Sequence, residues 1–428
     1  MDAVTGESFD ARATGGGQQL YRMHWRLHYL PSTVADWIVG LATMFMLVAI
    51  VTGIIVHKKI FKDFFTFRPG KGQRSWLDAH NVLSVLALPF HLMITYSGLI
   101  FMAFVYMPLV VSAHYGTGPE ARQVAFQEIF STPAVVSSGE SAPLTSLEPM
   151  ILKAEARWGA GVLRHVDIRY PGDSNARVIL RASHAQGPLR SGEELIFDGV
   201  SGELLEVAPA VASISNAVWA VLLGLHEGLF AGPVLRWLYF LSGVLGTAMV
   251  ATGLVLWTVK RRQQAERRAN GSHRGLILVE RINVGVVAGL FTAIAAYFWA
   301  NRLLPPDMVQ REVWEVHAMF ITWLALLVHA ALRPPAQAWR EQFALAAAAF
   351  ALIPVLNLLT TERHLGQSLA VGDWPLAGFD LTALALGLVF AAVSYRLAKR
   401  QRAVQPQKPK RRRDKQLRIE AANAESAS

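Results

Sequence analysis

The chain has no cysteine among its 428 residues. Disulfides, thiolate metal sites, cysteine-ligated iron–sulfur clusters, covalently attached c-type haem and thiol catalysis are thereby excluded. Any redox cofactor must be held by histidine or in a non-covalent pocket. Charge is also scarce: 17% of residues are Asp, Glu, Lys or Arg, where soluble domains run near 25%. From Ala79 to Pro119 none of these four types occurs, and about 20 apolar residues already span a bilayer. No Gly-rich phosphate loop follows an expected strand, so no nicotinamide or flavin site is read. Residues 1–32 lack an apolar core after a basic start. No cleavable signal peptide is expected, and the first span would serve as the insertion signal.

What the chain does have is apolar length. Seven stretches are long enough to cross a membrane, at about 33–56, 78–111, 234–259, 282–300, 316–332, 343–361 and 374–395. The connecting segments fall into two classes. Lys58, Lys59, Lys62, Arg68, Lys71 and Arg74 lie between spans one and two against a single acid, Asp63. Lys260, Arg261, Arg262, Arg267, Arg268, Arg274 and Arg281 lie between spans three and four, and Arg333 and Arg340 between five and six. The tail from Arg396 to Arg418 adds eleven more, so 26 of the 41 basic residues fall on one side. Segments 301–312, 362–373 and about 112–232 carry mixed charge. Positive loops stay cytoplasmic, which predicts the N-terminus outside, the C-terminus inside and one large extracytoplasmic domain. The net charge of +10 then reflects membrane orientation and a lipid-attracted tail, and no nucleic-acid partner is expected.

The extracytoplasmic segment reads as a small α+β domain. Residues 144–157 pattern as a helix with Ser146 as its N-cap. The runs 162–170, 176–183 and 193–198 alternate as strands, separated by PGDSN and GPLRSG turns. DGVSGELLEV (198–207) reads as a tight turn into a last short strand. One helix over an antiparallel sheet is the economical arrangement. His165 and His184 have no nucleophile or base partner in the pattern and read as ordinary surface or sheet residues.

Two segments repeat. Val4-Thr5-Gly6-Glu7, Leu27-His28, Pro31 and Thr52-Gly53 match Val200-Ser201-Gly202-Glu203, Leu225-His226, Pro233 and Thr252-Gly253 in order and chemistry. His28 and His226 then hold equivalent places just outside the membrane, before spans one and three.

Thirteen histidines are present, and those near the spans sort by depth. His24, His28, His226 and His317 fall near the outer surface; His57, His80 and His329 near the inner one; His91 inside span two. Ionisable residues within a membrane are costly and point to function. Neutral imidazole suits haem iron, and a pair must face each other at one depth from different helices. The inner layer offers His57 and His80, with Asp78 to orient a ring; the outer offers His28 and His226. Small residues (Ser97-Gly98, Gly243, Gly246, Gly253) leave room for a flat ring against the backbone. A zinc site built from His24, His28, His226 and Glu227 is the competing reading.

At these residues the chain resembles the PepSY-associated transmembrane-helix family, which includes iron-regulated membrane proteins and siderophore-iron reductases. The matching pieces are LHYLP…TG (27–53), the block from His57 to Gly98, LHEGLFAGPVLRWLYFLSGVLGTAMVATGLVLWTVKRR (225–262), and the DGVSGE turn (198–203) that closes a PepSY module. The resemblance implies an all-α polytopic membrane protein of about seven transmembrane helices, N-out and C-in, with an inserted small α+β PepSY-like domain. Its parts would be a PepSY-like remnant (1–32), helices one and two (33–111), the PepSY-like domain (112–232), helix three (233–260), helices four to seven (276–396) and a basic disordered tail (397–428). Relatives begin with a further span and module, so an N-terminally shortened chain is expected. The resemblance further implies one or two b-type haems, a bacterial inner membrane, a periplasmic module, and electrons passed outward to a ferric siderophore or other iron complex from a quinone or a cytoplasmic reductase. Carried onto matching motifs, the ligands would be His28, His57, His80, His91 and His226, with His24, His317 and His329 weaker. Two other readings stand beside this one: a non-enzymatic protein binding a peptide or envelope protein, and a transporter with His91 in the substrate path.

Overall fold

The structure is a computed structural model. It describes residues 12–57, 59–106, 108–130, 135–183, 187–190, 192–211, 213–267 and 274–404. His184, Lys58, Arg268, the Val4–Glu7 part of the repeat and the tail beyond residue 404 lie outside the described residues. The chain divides into two compact units.

The first unit is Tyr21–Gly253. A short helix, α1 (Gly16–Arg22), leads into it, and α2 (Ser32–Val56) is its first span. After α3 (Ile60–Phe64), the expected second span is two helices, α4 (Gln73–Leu86) and α5 (Leu88–Phe101), bent by 69°. The cause is Pro89: it has no N–H to give and its ring crowds the carbonyl one turn back. The ladder restarts with His91 N donating to Ala87 O at 2.8 Å. Helices α6 (Ala103–Tyr106), α7 (Pro108–Tyr115) and α8 (Pro119–Phe130) follow.

The α+β domain is as the sequence reads. α9 (Glu148–Trp158) packs on a four-stranded antiparallel meander of β1 (Leu163–Arg169), β2 (Arg177–Ala182), β3 (Glu194–Asp198) and β4 (Leu204–Ala208). Met150 and Ala154 of α9 close a core with Val178, Leu180, Leu195 and Phe197. Ser146 does not cap the helix; Leu147 holds that position, and Ser146 Oγ accepts from Glu148 N at 3.3 Å. The DGVSGE turn has a physical reason for its residues. Asp198 Oδ1 accepts from the backbone of Val200 and Ser201, both at 2.9 Å, and Gly202 takes φ +74°.

Glu193 ties this sheet to α9, accepting from Arg157 at 2.6 and 2.9 Å and from Trp158 Nε1 at 2.7 Å. The Arg157 hydrogen bonds, with Trp158 adding to them, hold its carboxyl down at about 2. A depressed carboxylate stabilises the fold above its unfolded pKa and loses that contribution as pH falls through the folded one. Glu193→Gln should therefore speed amide exchange in β3 and α9 at pH 7, and the difference from wild type should close as pH falls from about 4.5 to 2. Hydrogen exchange across that range checks it.

The unit ends with α10 (Ile214–Glu227) and the first part of α11 (Pro233–Arg267). Ser213 caps α10, accepting from Asn216 N, and Gly228 closes it in the left-handed region. α2 and α11 bury little of their apolar surface within the chain.

The second unit holds residues up to Leu20 and from Leu254 onward. Its spans are Arg274–Leu303, Arg311–Leu332, Pro335–Thr360 and Trp374–Arg402. The first comprises α12 (Arg274–Asn283), a π-helical stretch (Val284–Gly289) and α13 (Leu290–Leu303). The wider turn turns Gly285 O outward, where Trp323 Nε1 donates to it at 3.0 Å. The others are α14 (Arg311–Leu332), α15 (Pro335–Ala351) with α16 (Ile353–Thr360), and, after α17 (Leu365–Ala370), α18 (Trp374–Val404). Phe350, Ile353 and Phe390 centre the core of this bundle.

Candidate functional site: histidines seated on glycines

Of the eight histidines read as ligand candidates, His24, His28, His57, His80, His91 and His226 lie in the first unit; His317 and His329 lie in the second. Three of the first group follow one construction. His80 sends Nδ1 to Met249 O at 3.0 Å, with Thr252 Oγ1 at 3.4 Å, and a Cβ on Gly253 would lie 3.2 Å from its Cε1. His91 sends Nε2 to Ser242 O at 3.0 Å, and a Cβ on Gly246 would lie 3.1 Å from that nitrogen. His226 sends Nδ1 to Ile94 O at 3.0 Å, with Ser97 Oγ at 3.1 Å, and a Cβ on Gly98 would lie 3.1 Å from its Cε1. Each ring fills a notch that a glycine leaves on the facing helix. The small residues picked out in the sequence thus receive imidazoles here, except Gly243, which has open space beside it.

The bonded nitrogen decides what each ring can do. A carbonyl accepts, so the nitrogen facing it carries the proton and the other holds the lone pair. His80 and His226 therefore present Nε2 as the ligating nitrogen. His91 spends Nε2 on Ser242, which leaves Nδ1.

The ring that meets His226 is His24, with centroids 6.2 Å apart and planes 39° off each other. Two imidazoles on opposite sides of one metal sit about 6 Å apart, given metal–nitrogen lengths near 2 Å. Phe101 flanks His226 at 5.2 Å. His24 is exposed on a turn, and His226 is half-buried at the end of α10, outside the spans. Burial, with His24 beside it, holds His226 below the ordinary imidazole range, so the ring is neutral at pH 7. His28 packs edge-on against Tyr29 at 4.2 Å. His57 Nε2 is buried without a hydrogen bond; Asp63 Oδ2 is 3.3 Å away at an unsuitable angle. Asp78, read as a partner for His80, instead takes a two-pronged contact from Arg68 at 2.7 and 2.8 Å. His317 packs against Trp314, and His329 lies between Glu341 and Gln342.

The cofactor the sequence implies can be tested against these residues. Three imidazoles with a free ring nitrogen, on His80, His91 and His226, and a His24–His226 ring pair 6.2 Å apart are of the kind that a haem iron takes. Trp25 Nε1 and Arg26 Nε are buried without hydrogen-bond partners beside His24, and they are donors of the kind a propionate takes. Among the described residues no three His, Asp or Glu converge as a metal cluster. These are ligand and donor types that a haem takes.

The α+β domain reaches this site. Pro188 O would lie 1.9 Å from a Cβ on Gly224, Arg190 N donates to Ala220 O at 2.9 Å, and Arg190 Nε binds Glu227 at 3.0 Å. Arg190 also lies over the Phe101 ring at 5.8 Å. This tongue was not legible in the sequence, where GPLRSG reads as a plain turn. A Gly224→Ala chain must push the tongue off α10, at about 1–3 kcal/mol. Trypsin should then cut after Arg190 roughly 5- to 100-fold faster, and an unchanged rate would show that the tongue does not sit there.

A family model for the PepSY-associated TM region matches residues 1–260. The chain belongs to that family. The matched range holds six of the candidate histidines, all three glycine notches and the tongue. The chain is also similar to an uncharacterized protein of Pseudomonas aeruginosa, 23% identical over 363 residues, covering 82% of this chain and 87% of that one. Among the described residues, six long apolar helices and the bent pair make this family member a multi-pass membrane protein in contact with the lipid bilayer.

Proposed function

We propose that this PepSY-family protein is a haem b oxidoreductase of the bacterial inner membrane that passes electrons outward to a ferric complex in iron acquisition. The observation that carries the reading is the His24–His226 pair at 6.2 Å, with Nε2 of His226 freed by the Nδ1 contact to Ile94 O. His226 and His24 would hold an outer haem. His80, whose Nε2 is free, would hold an inner one, with His57 and His91 as the further candidates. A haem so held supplies reversible one-electron chemistry at iron.

The chain's own residues do the rest. The carbonyls of Ile94 and Met249 fix the two tautomers and raise ring basicity. Gly98 and Gly253 let the rings approach the backbone. The apolar faces of α2 and α11 left bare by protein suit lipid or a tetrapyrrole. Arg190 is met by Glu227, so Arg26, over the Trp25 ring beside His24, is the positive charge that favours an anionic ferric chelate. Reduction to Fe(II) weakens hard-oxygen chelation, and the metal is released. A quinone or a cytoplasmic reductase supplies the electrons.

Dithionite-reduced protein, mixed anaerobically with ferric citrate, should reoxidise and release Fe(II) to a ferrous chelator. Reduced protein that holds its electrons against the ferric complex contradicts the reading. A second reading rests on β4, an edge strand with Leu204, Leu205 and Val207 exposed. Such an edge can add a strand from a peptide or envelope protein. Haem-free protein that captures an extended peptide through β4 would favour it.

A further inference from the structure

Arg311 and Glu315 stand one turn apart at the start of α14, and both are wholly buried. The sequence places Arg311 in a mixed-charge loop, where such a residue is normally solvated. Burying two ions costs several kcal/mol each unless every donor and acceptor is met. Here the partners come largely from far along the chain. Arg311 Nη1 donates to Glu315 Oε1 at 2.6 Å and to Ala13 O at 2.7 Å. Arg311 Nη2 donates to Asn301 O. Glu315 Oε2 accepts from Thr14 Oγ1 at 2.8 Å and from Gly15 N at 3.1 Å. Asn301 Nδ2 donates to Glu315 Oε1 at 2.8 Å and to Thr14 Oγ1 at 2.9 Å. Tyr297 Oη donates to Gly16 O at 2.9 Å, and Arg12 reaches Asn301 Oδ1 at 3.3 Å.

We propose that Arg311, Glu315, Asn301 and Tyr297 form a binding well for an extended peptide with a hydroxyl-Gly-Gly step, and that this chain's own Ala13–Gly16 segment is its occupant. Three features make it a recognition site. The well reads the backbone, through the carbonyls of Ala13 and Gly16 and the amide of Gly15, and reads one side-chain hydroxyl, that of Thr14. It selects a residue without a side chain at the next position, since a Cβ on Gly15 would lie 2.8 Å from Tyr297 Oη and 3.1 Å from Gln19 Cβ. It needs the occupant, because without residues 13–15 Glu315 Oε2 loses Thr14 Oγ1 and Gly15 N, and Arg311 loses one of its carbonyls, all in a buried place. The segment is thereby strapped to the second unit, to which Met1–Leu20 belongs.

Arg12 is the first basic residue of the chain, so trypsin acting there releases a unique N-terminal peptide that mass spectrometry follows on the full-length protein in detergent. Gly15→Ala and Gly17→Ala add the same methyl two residues apart; a Cβ on Gly17 meets nothing within 4 Å. The expected result is that Gly15→Ala releases the peptide at least tenfold faster than wild type, Gly17→Ala releases it at the wild-type rate, and Glu315→Gln, which keeps the shape, gives a rise of a few fold. Equal rates for the two alanine variants would overturn the proposal. So would wild-type release as fast as from a free peptide of the same sequence. The readout needs no haem, so its outcome is independent of the redox reading.

Discussion

His226→Ala is expected to strip the outer haem from the purified protein while the inner one stays. Two observations set the size of that effect. The ring is fixed from behind by Ile94 O and Ser97 Oγ, so its Nε2 is the held, half-buried ligand of the pair. Its opposite number, His24, is exposed on a turn and cannot hold a tetrapyrrole alone. Losing an orienting partner already costs 10–100-fold in metal affinity, so losing the ligand should cost at least about 100-fold. His24→Ala should act differently. The half-buried ligand remains, so haem binding should weaken less, and the spectrum should move from low-spin towards high-spin. Titration of haem into each purified variant, followed by absorbance, separates the two. Full outer-site affinity in His226→Ala would remove this ring from the account.

Arg311→Met should be the most destabilising single change in the second unit. It leaves Glu315 buried with its charge uncompensated, and breaking a buried pair from one side costs about 3–5 kcal/mol. For a unit of this size that is a fall of roughly 10 °C in the thermal midpoint. The double variant Arg311→Met, Glu315→Leu should recover much of the loss, because replacing both ions with apolar groups removes the desolvation cost together with the attraction. Recovery will be incomplete, since Thr14 and Gly15 then face a site that accepts nothing from them. Melting curves in detergent check both. A single variant as stable as wild type would mean that water reaches the pair.

Much of this molecule is legible from residues alone. The strands of the α+β domain alternate and are fenced by turns, and Asp198, Gly199 and Gly202 carry their own reason for the turn they make. The long apolar stretches mark the spans. The bend between α4 and α5 had its signal in Pro89, though an uncharged run from Ala79 to Pro119 reads as unbroken. The pairing of the histidines was not visible. Helical spacing governs rings on helices, whereas residues 23–31 are turns and Tyr29 takes φ +66°. That is why the ring facing His226 belongs to His24, a weaker candidate by sequence. Gly98, Gly246 and Gly253 could be read as room, but only the fold shows that imidazoles take it. The Arg311–Glu315 well was not legible, because Ala13, Thr14 and Gly15, which complete it, lie some 300 positions away.

The claim on which everything turns is that these imidazoles hold haem. Pyridine haemochromogen analysis of detergent-purified, full-length protein measures it directly. The account predicts b-type haem at one to two equivalents per chain, reduced in number by His226→Ala and by His80→Ala. Colourless protein that takes up no haem when it is supplied would contradict it.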